Sequence, residues 1–307
     1  MDEKIILVIG ASGSQGGEVL KQLQKQNKFK LRALQRKESE FSKKAREEGV
    51  EIVFGDLFKE ETLIKAMKNV YGVFSVLTIS LDVKAENEII QERNIVKAAE
   101  LNNVQILIHA SVARAGDEKN FVDWNEKDRT PFYHAYWEGK SGANKIVKES
   151  KIPHWVIFKP AWMMDNFLKE KAPYILPNLK EGFIETNMKL DTKIDFICAL
   201  DQAKFVADAF LNIEKYDKKE IDLASQNSTM TELADIIFKM FNKKIKVICT
   251  EKNELLKKGI PKAFIDTYEW NMLEGYKVDI SKVKSYGIKL TSFEEFIKIY
   301  KERFYLD

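Results

Sequence analysis

Apolar residues fall in two kinds of run along the first half of the chain. Ile5-Ile6-Leu7-Val8-Ile9 is continuous rather than alternating, the pattern of a parallel strand covered on both faces. From Ser14 to about Gln26 the spacing becomes helical, with Val19, Leu20 and Leu23 as one buried stripe. Phe29–Leu34 reads as the next strand and Glu38–Glu48 as the next helix. Val50–Phe54, Tyr71–Leu77 and Val104–Ala110 repeat the strand pattern, with helices at about 60–68 and 85–102 between them. Trp155–Lys159 follows a helix at 133–150. Strand–helix alternation at this spacing predicts βαβ units in a doubly wound parallel sheet, a Rossmann-type α/β fold.

The pattern changes after Pro160. Pro173, Pro177, Gly182 and Pro261 interrupt it, helices near 201–214, 231–241 and 291–304 dominate, and short strands fit 193–197, 220–224 and 245–249. Thr231 with Asp235, and Thr291 with Glu294, read as helix starts, the second as a capping box. The chain therefore divides into a dinucleotide-binding domain over 1–160 and a smaller α+β domain over 161–307, with segments near 193–224 returning to the first. At 307 residues it has room for about two domains.

Charge narrows the function classes. Fifty basic and 47 acidic residues leave a net charge of +3, and both signs are interspersed, so solvated helix faces are expected rather than a nucleic-acid surface. No run of 18 apolar residues occurs, so no membrane span is expected. Met1 leads straight into a strand without a basic region, a long apolar stretch and a cleavage site, so no secretory leader is expected. The two cysteines, Cys198 and Cys249, match no ligand or redox spacing and fit a reduced, cytoplasmic protein. With three histidines and no ligand pair on one element, no metal site is expected. No GxSxG elbow for a serine hydrolase is present.

Gly10-Ala11-Ser12-Gly13-Ser14-Gln15-Gly16 follows the first strand and opens the first helix. Gly10 permits the tight turn, Gly13 lets backbone approach a pyrophosphate, and Gly16 allows close helix–strand packing. The helix start supplies free N–H groups and positive potential. About 20 residues on, an NAD site usually carries an acid for the ribose hydroxyls. This chain has Gln35-Arg36-Lys37 there, with Arg32 nearby. A guanidinium fork matches a 2′-phosphate that a carboxylate would repel, so NADP(H) is the expected cofactor. Asp56, in Gly55-Asp56-Leu57, has two readings: acceptor for the adenine amine, or helix cap for the segment beginning at Lys59. Leu77-Thr78-Ile79, ending the fourth strand, should run under the adenosine–nicotinamide path.

These residues resemble the NmrA-like family of atypical short-chain dehydrogenases/reductases. The likeness rests on the loop with Gln15-Gly16-Gly17, on Arg36, and on Pro160-Ala161-Trp162-Met163-Met164-Asp165-Asn166-Phe167; it extends weakly to Asp195–Val206 and Thr231–Ala234. The resemblance implies an NADP-binding Rossmann domain, a smaller C-terminal domain and a substrate cleft between them. The family includes quinone and carbonyl reductases, isoflavone-type reductases, and regulators that bind the dinucleotide without established turnover. Position by position it implies cofactor contacts at Gly10, Ser12, Gly13, Ser14, Gln15, Gly16, Arg36, Asp56, Leu57, Thr78, Arg93, Lys140 and Ala161–Met164.

Tyr136-Trp137-Glu138-Gly139-Lys140 holds a YxxxK pair, whose phenol and ammonium share one helix face. In short-chain dehydrogenases the Lys bonds the nicotinamide ribose and lowers the phenol's pKa, and the Tyr passes a proton to the carbonyl oxygen as hydride arrives. Ser111, ending the fifth strand, suits a third member that bonds the substrate oxygen. Many NmrA-like proteins keep the Lys without the Tyr, so a packed Tyr136 beside Trp137 and Tyr133 is the competing reading. The loop 112–131, with Phe121 and Trp124, and Trp162, Met163, Met164 and Phe167 predict either an aromatic-lined cleft for a flat substrate or an interdomain core. The substrate-binding candidates are Trp124, Met164 and Phe167. The leading expectation is an NADPH-dependent reductase of a quinone, ketone or related conjugated small molecule. The alternatives are a non-catalytic NADP(H) sensor that binds a protein partner and a nucleotide-sugar epimerase using the same triad.

Overall fold

The computed structural model describes residues 4–77 and 84–306. Strands and helices alternate as β1 (Ile5–Val8), α1 (Ser14–Gln26), β2 (Lys30–Gln35), α2 (Glu40–Glu47), β3 (Glu51–Phe54), α3 (Glu60–Ala66), β4 (Val70–Val76), α4 (Ala85–Leu101), β5 (Ile106–Ala110), α5 (Pro131–Glu149) and β6 (His154–Pro160). Beyond them come β7 (Trp162–Met163), α6 (Ala172–Ile175), β8 (Phe183–Thr186), β9 (Ile194–Ile197), α7 (Ala199–Leu211), α8 (Ile213–Tyr216) and β10 (Lys219–Leu223). The chain continues through β11 (Gln226–Ser228), α9 (Met230–Phe241), β12 (Lys246–Cys249), α10 (Lys252–Lys257), α11 (Lys262–Leu273), α12 (Ile280–Lys284) and α13 (Phe293–Tyr300).

The chain forms two compact units. The first holds Met1–Gly116, Ala135–Lys159 and Ala199–Ile221; the second holds Asp117–His134, Pro160–Cys198 and Asp222–Asp307. Beyond a division at residue 160 with a return near 193–224, the units differ in one further segment. Segment 117–134 goes with the second unit, and 199–221 goes with the first.

In the first unit β3, β2, β1, β4, β5 and β6 lie side by side in that order with parallel pairings, and β10 flanks β6. The order turns back between β1 and β4. An open α/β sheet offers its crevice at such a switch point, beyond the carboxyl ends of the strands. Leu7, Val73, Leu107 and Ile157 pack with Leu63 of α3, Ile95 of α4, and Ala143 and Val147 of α5 in one apolar cluster. Burying a side chain of this size contributes about 1.5–3 kcal/mol. Side chains alternate along a strand, so Ile6 and Gly72 face the other way. There α1 packs along α7. A Cβ on Gly72 would lie 2.8 Å from the Phe210 ring of α7, so the missing side chain is what seats that helix.

In the second unit β9 pairs parallel with β7 and antiparallel with β11, and β8 pairs parallel with β12. Its core is aromatic. Phe167 stacks on Phe304 (5.8 Å, 15°) and meets Phe293 edge-on at 4.9 Å. Segment 117–134 is tied to α11 by charge: Arg129, buried, pairs with Asp123 (2.5 Å), Glu269 (2.6 Å) and Asp266 (3.4 Å). Thr130 donates from N (2.9 Å) and Oγ1 (2.5 Å) to Asp266 Oδ2. The helix starts differ from the sequence expectation by one or two residues. The capping boxes are Thr229/Glu232 on α9 and Ser292/Glu295 on α13, whereas Thr291 is buried.

Among the described residues no helix is long and apolar enough to cross a membrane. None of them form a cluster of three or more side chains able to hold a metal.

Candidate active site

The glycine loop is built as the spacing requires. Gly10 adopts φ +73°, and a Cβ there would strike the Val76 side chain; Gly13 N donates to Gly10 O at 2.9 Å and closes the turn. A Cβ on Gly16 would overlap the Gly10 carbonyl and lie 2.8 Å from Ala11 N, so α1 touches the loop backbone directly. Gly13 is the extended N-cap of α1 and offers no side chain. No acid sits in the first turn, so the first amides of the helix remain available to an anion. Ser12 is exposed, Ser14 and Gln15 are half-buried, and Gln15 Oε1 has no partner.

The two arginines of β2 separate cleanly. Arg32 is buried, its Nε bonded to Glu51 (2.8 Å) and its Nη1 to the carbonyls of Ala66 and Lys68 (2.8 Å each). It is a strut that ties β2 to the end of α3, so neither a phosphate ligand nor a solvated surface arginine describes it. Arg36, just past the end of β2, is exposed and makes no hydrogen bond or ion pair among the described residues. The nearby Glu38 is occupied by Arg46 through bonds of 2.7 and 2.8 Å, and that pairing holds its carboxyl below the usual range. The guanidinium at 36 therefore has no competing carboxylate.

Asp56 Oδ1 accepts from Phe58 N at 3.0 Å, while Lys59 is the N-cap of α3, so this carboxylate caps a turn ahead of the helix rather than the helix itself. Its Oδ2 makes no hydrogen bond among the described residues. Leu57 O accepts from Asn94 of α4 at 2.8 Å. Arg93 is exposed on α4 without a partner among the described residues, whereas the next residue, Asn94, reaches Leu57. Thr78 lies outside the described residues.

Tyr136 and Lys140 are brought together on α5, with Lys140 Nζ 5.9 Å from the centre of the Tyr136 ring. Tyr136 is half-buried and meets Trp137 edge-on at 5.3 Å. Lys140 is buried, and its Nζ donates to Glu88 Oε1 of α4 at 2.6 Å. An ammonium has three donors, so this bond leaves two. Ser111 follows β5, buried, its Oγ without a hydrogen-bond partner among the described residues and so not bonded to Tyr136.

Glu88 escaped the sequence reading. Its only sequence signal is a pair of acids one turn apart on α4, Glu88 and Glu92, both buried. Ser75 Oγ of β4 donates to Glu92 Oε1 at 3.3 Å and lies 2.8 Å from His109 Nδ1 of β5, with Glu92 Oε2 3.3 Å from that same nitrogen. His109 thus belongs to a buried polar staple between two strands and a helix.

In the second unit, Met164 and Phe167 correct the expectation of a substrate-lining pair. Both are fully buried, Phe167 in the stack with Phe293 and Phe304, because an apolar side chain gains more from a closed core than from a wet wall. Trp162 and Met163 are half-buried, Trp162 edge-on to Phe196 at 5.1 Å, and Ala161 N donates to Leu223 O at 2.9 Å. Trp124 is half-buried, edge-on to His134 at 4.6 Å.

The NmrA-like family profile matches residues 2–297. A curated relative, the NmrA-like family domain-containing oxidoreductase FrzB of Cladobotryum sp, is 27% identical over 251 residues, spanning 75% of this chain and 71% of its own. Among solved structures, a nucleoside-diphosphate-sugar epimerase from Staphylococcus aureus matches with a TM-score of 0.75 at 19% identity, over 96% of this chain and 99% of that one. The NADPH-dependent quinone oxidoreductase QOR2 of Escherichia coli, complexed with NADPH, matches with a TM-score of 0.74 at 20% identity, over 97% and 99%. At these identities the structural likeness speaks for the fold, which an epimerase and a reductase share. The match to the family profile along nearly the whole length carries the assignment: this chain belongs to the NmrA-like family.

Proposed function

We propose that this protein is an NADPH-dependent reductase of a quinone, ketone or related conjugated small molecule. The observation that carries the reading is Tyr136 beside a buried Lys140, in the same unit as a glycine loop that no side chain could occupy at Gly10 or Gly16. Membership of a family that includes the oxidoreductase FrzB, and the fold shared with an NADPH-complexed quinone oxidoreductase, support it.

The residues present fit the cofactor. The first amides of α1, with Ser12, Ser14 and Gln15, would hold the pyrophosphate, and Arg36 the 2′-phosphate. Asp56, through its free Oδ2, would accept from the adenine amine. Leu57, Thr78, Arg93 and 161–163 complete the proposed contacts, and Lys140 would bond the nicotinamide ribose with its two remaining donors. When bound, the nicotinamide supplies a hydride. Tyr136 then passes its hydroxyl proton to the substrate oxygen, and the Lys140 ammonium favours the phenolate left behind. Ser111 Oγ, buried and without a hydrogen bond among the described residues, would hold that same oxygen. Trp124, half-buried against His134, is the remaining aromatic candidate for contact with a flat substrate.

The test is NADPH oxidation, followed at the nicotinamide absorbance, with a panel of quinones, ketones and aldehydes. A general acid contributes typically 10²–10⁴-fold, so Tyr136→Phe should lower kcat by about that factor, and Lys140→Ala should raise KM for NADPH as well. A wild-type rate that both variants leave unchanged would sink this mechanism. NADPH binding without turnover, joined to cofactor-dependent association with another protein, would assign the sensor role instead. NAD retained tightly through purification would point to epimerase chemistry.

A further inference from the structure

The ion pair between Lys140 and Glu88 needs an explanation beyond stability. Helices α4 and α5 already pack through apolar side chains. Burying a carboxylate and an ammonium costs more desolvation than burying hydrophobic residues of the same volume. The helices also touch directly at this point. A Cβ on Gly142 would lie 2.7 Å from both Cγ1 and Cδ1 of Ile89, so Gly142 is what admits the Ile89 side chain. Ile89 adjoins Glu88, and Gly142 lies two residues beyond Lys140. The close approach therefore sets the reach of the 2.6 Å bond.

We infer that Glu88 is the positioning residue of this site: its carboxylate anchors the Lys140 ammonium beside the Tyr136 ring and offsets part of its charge. The inference rests on the reductase reading, in which Lys140 tunes Tyr136. An ammonium held by a carboxylate favours a neighbouring phenolate less than a free one. Glu88 thus keeps the phenol protonated, and able to donate, to higher pH. Other ionisable groups on the neighbouring elements include Glu92 of α4, one turn on from Glu88, whose Oε2 lies 3.3 Å from Nδ1 of His109 of β5. Arg114 is half-buried in the turn after β5, His134 lies on α5 itself, and Lys84 and Glu86 are exposed at the start of α4. None of them bonds Lys140 or Glu88 in the structure.

The experiment is a titration of the intact protein labelled with ¹³Cζ-tyrosine, the Tyr136 signal being identified by its loss in Tyr136→Phe. Glu88→Gln keeps a hydrogen-bond acceptor and removes the charge. It should lower the Tyr136 pKa by about one unit, the order of a single-charge effect between near neighbours at the effective dielectric of a protein. The basic limb of kcat/KM should move by the same amount. Glu88→Asp should restore most of the wild-type titration. In a Lys140→Gln background, Glu88→Gln should still lower the Tyr136 pKa through its own charge, but by less than when the Lys140 ammonium is there to be released. If Glu88→Gln alone does not fold, the double variant is compared with Lys140→Gln, and a Tyr136 titration that the added Glu88→Gln leaves unmoved overturns the inference. An unmoved or raised Tyr136 titration in Glu88→Gln, or an equal shift in the Lys140→Gln background, overturns the inference. The titration needs no turnover, so an absence of NADPH oxidation would count against the reductase reading alone.

Discussion

Arg36, just past β2, pairs with none of the described residues, while Arg32, four residues earlier, spends donors on Glu51 and two carbonyls. The two should fail in different assays. Charge-assisted hydrogen bonds contribute about 1.5–3 kcal/mol, and each 1.4 kcal/mol is about tenfold in affinity. Arg36→Ala is therefore expected to weaken NADPH binding by about ten- to hundredfold in calorimetry and to leave NADH binding nearly unchanged. Arg32→Ala is expected to leave the NADPH/NADH ratio alone and to lower the melting temperature, because the carbonyls of Ala66 and Lys68 lose their donor at about 1–3 kcal/mol for each buried unsatisfied group. If Arg36→Ala weakened both dinucleotides equally, the 2′-phosphate assignment would fall. The sequence showed both arginines and could not tell them apart. Arg32 lies within β2, where the end of α3 covers it, whereas Arg36 lies just past the strand's end.

Among the elements, segment 117–134 and α11 show how a loop without periodicity gains a fixed place. Burial works against the Asp266 carboxylate, but the hydrogen bonds from Thr130 and Lys262 outweigh it and hold its pKa below the ordinary range. A carboxyl with a depressed folded-state pKa adds stability that is present above its unfolded value, about 3.9, and is lost as pH falls through the folded value. Hydrogen exchange should accordingly show 117–134 opening as pH drops below about 4, with Asp266→Asn already open at pH 7. Protection in that variant equal to wild type would mean that the tie lies elsewhere. Helix starts in this unit were legible as a pattern but not as positions. Thr291 and Ser292 each precede a glutamate by three residues. Burial of Thr291 hands the cap to Ser292.

For the molecule as a whole, the proposed cofactor should act as a stabilising ligand. Binding to the folded state alone adds about 2.7 kcal/mol at a hundred times Kd. NADPH at that excess should raise the melting temperature measured by calorimetry, and NADH at the same concentration should do so less. Equal protection by both would remove the reason for placing a phosphate at Arg36, and protection by neither would remove the dinucleotide.

The α/β alternation, the glycine loop, the order of the first six strands' elements along the chain and the YxxxK pair were all readable in the residues, because each rests on contacts local in sequence or on a period of two or 3.6. Lys140's partner, the buried fate of Arg32, the choice of core over cleft for Met164 and Phe167, and the place of 117–134 in the second unit were not. Each depends on which distant side chain arrives to desolvate or neutralise a group, and no periodicity along one segment encodes the chemistry of the segment that packs against it.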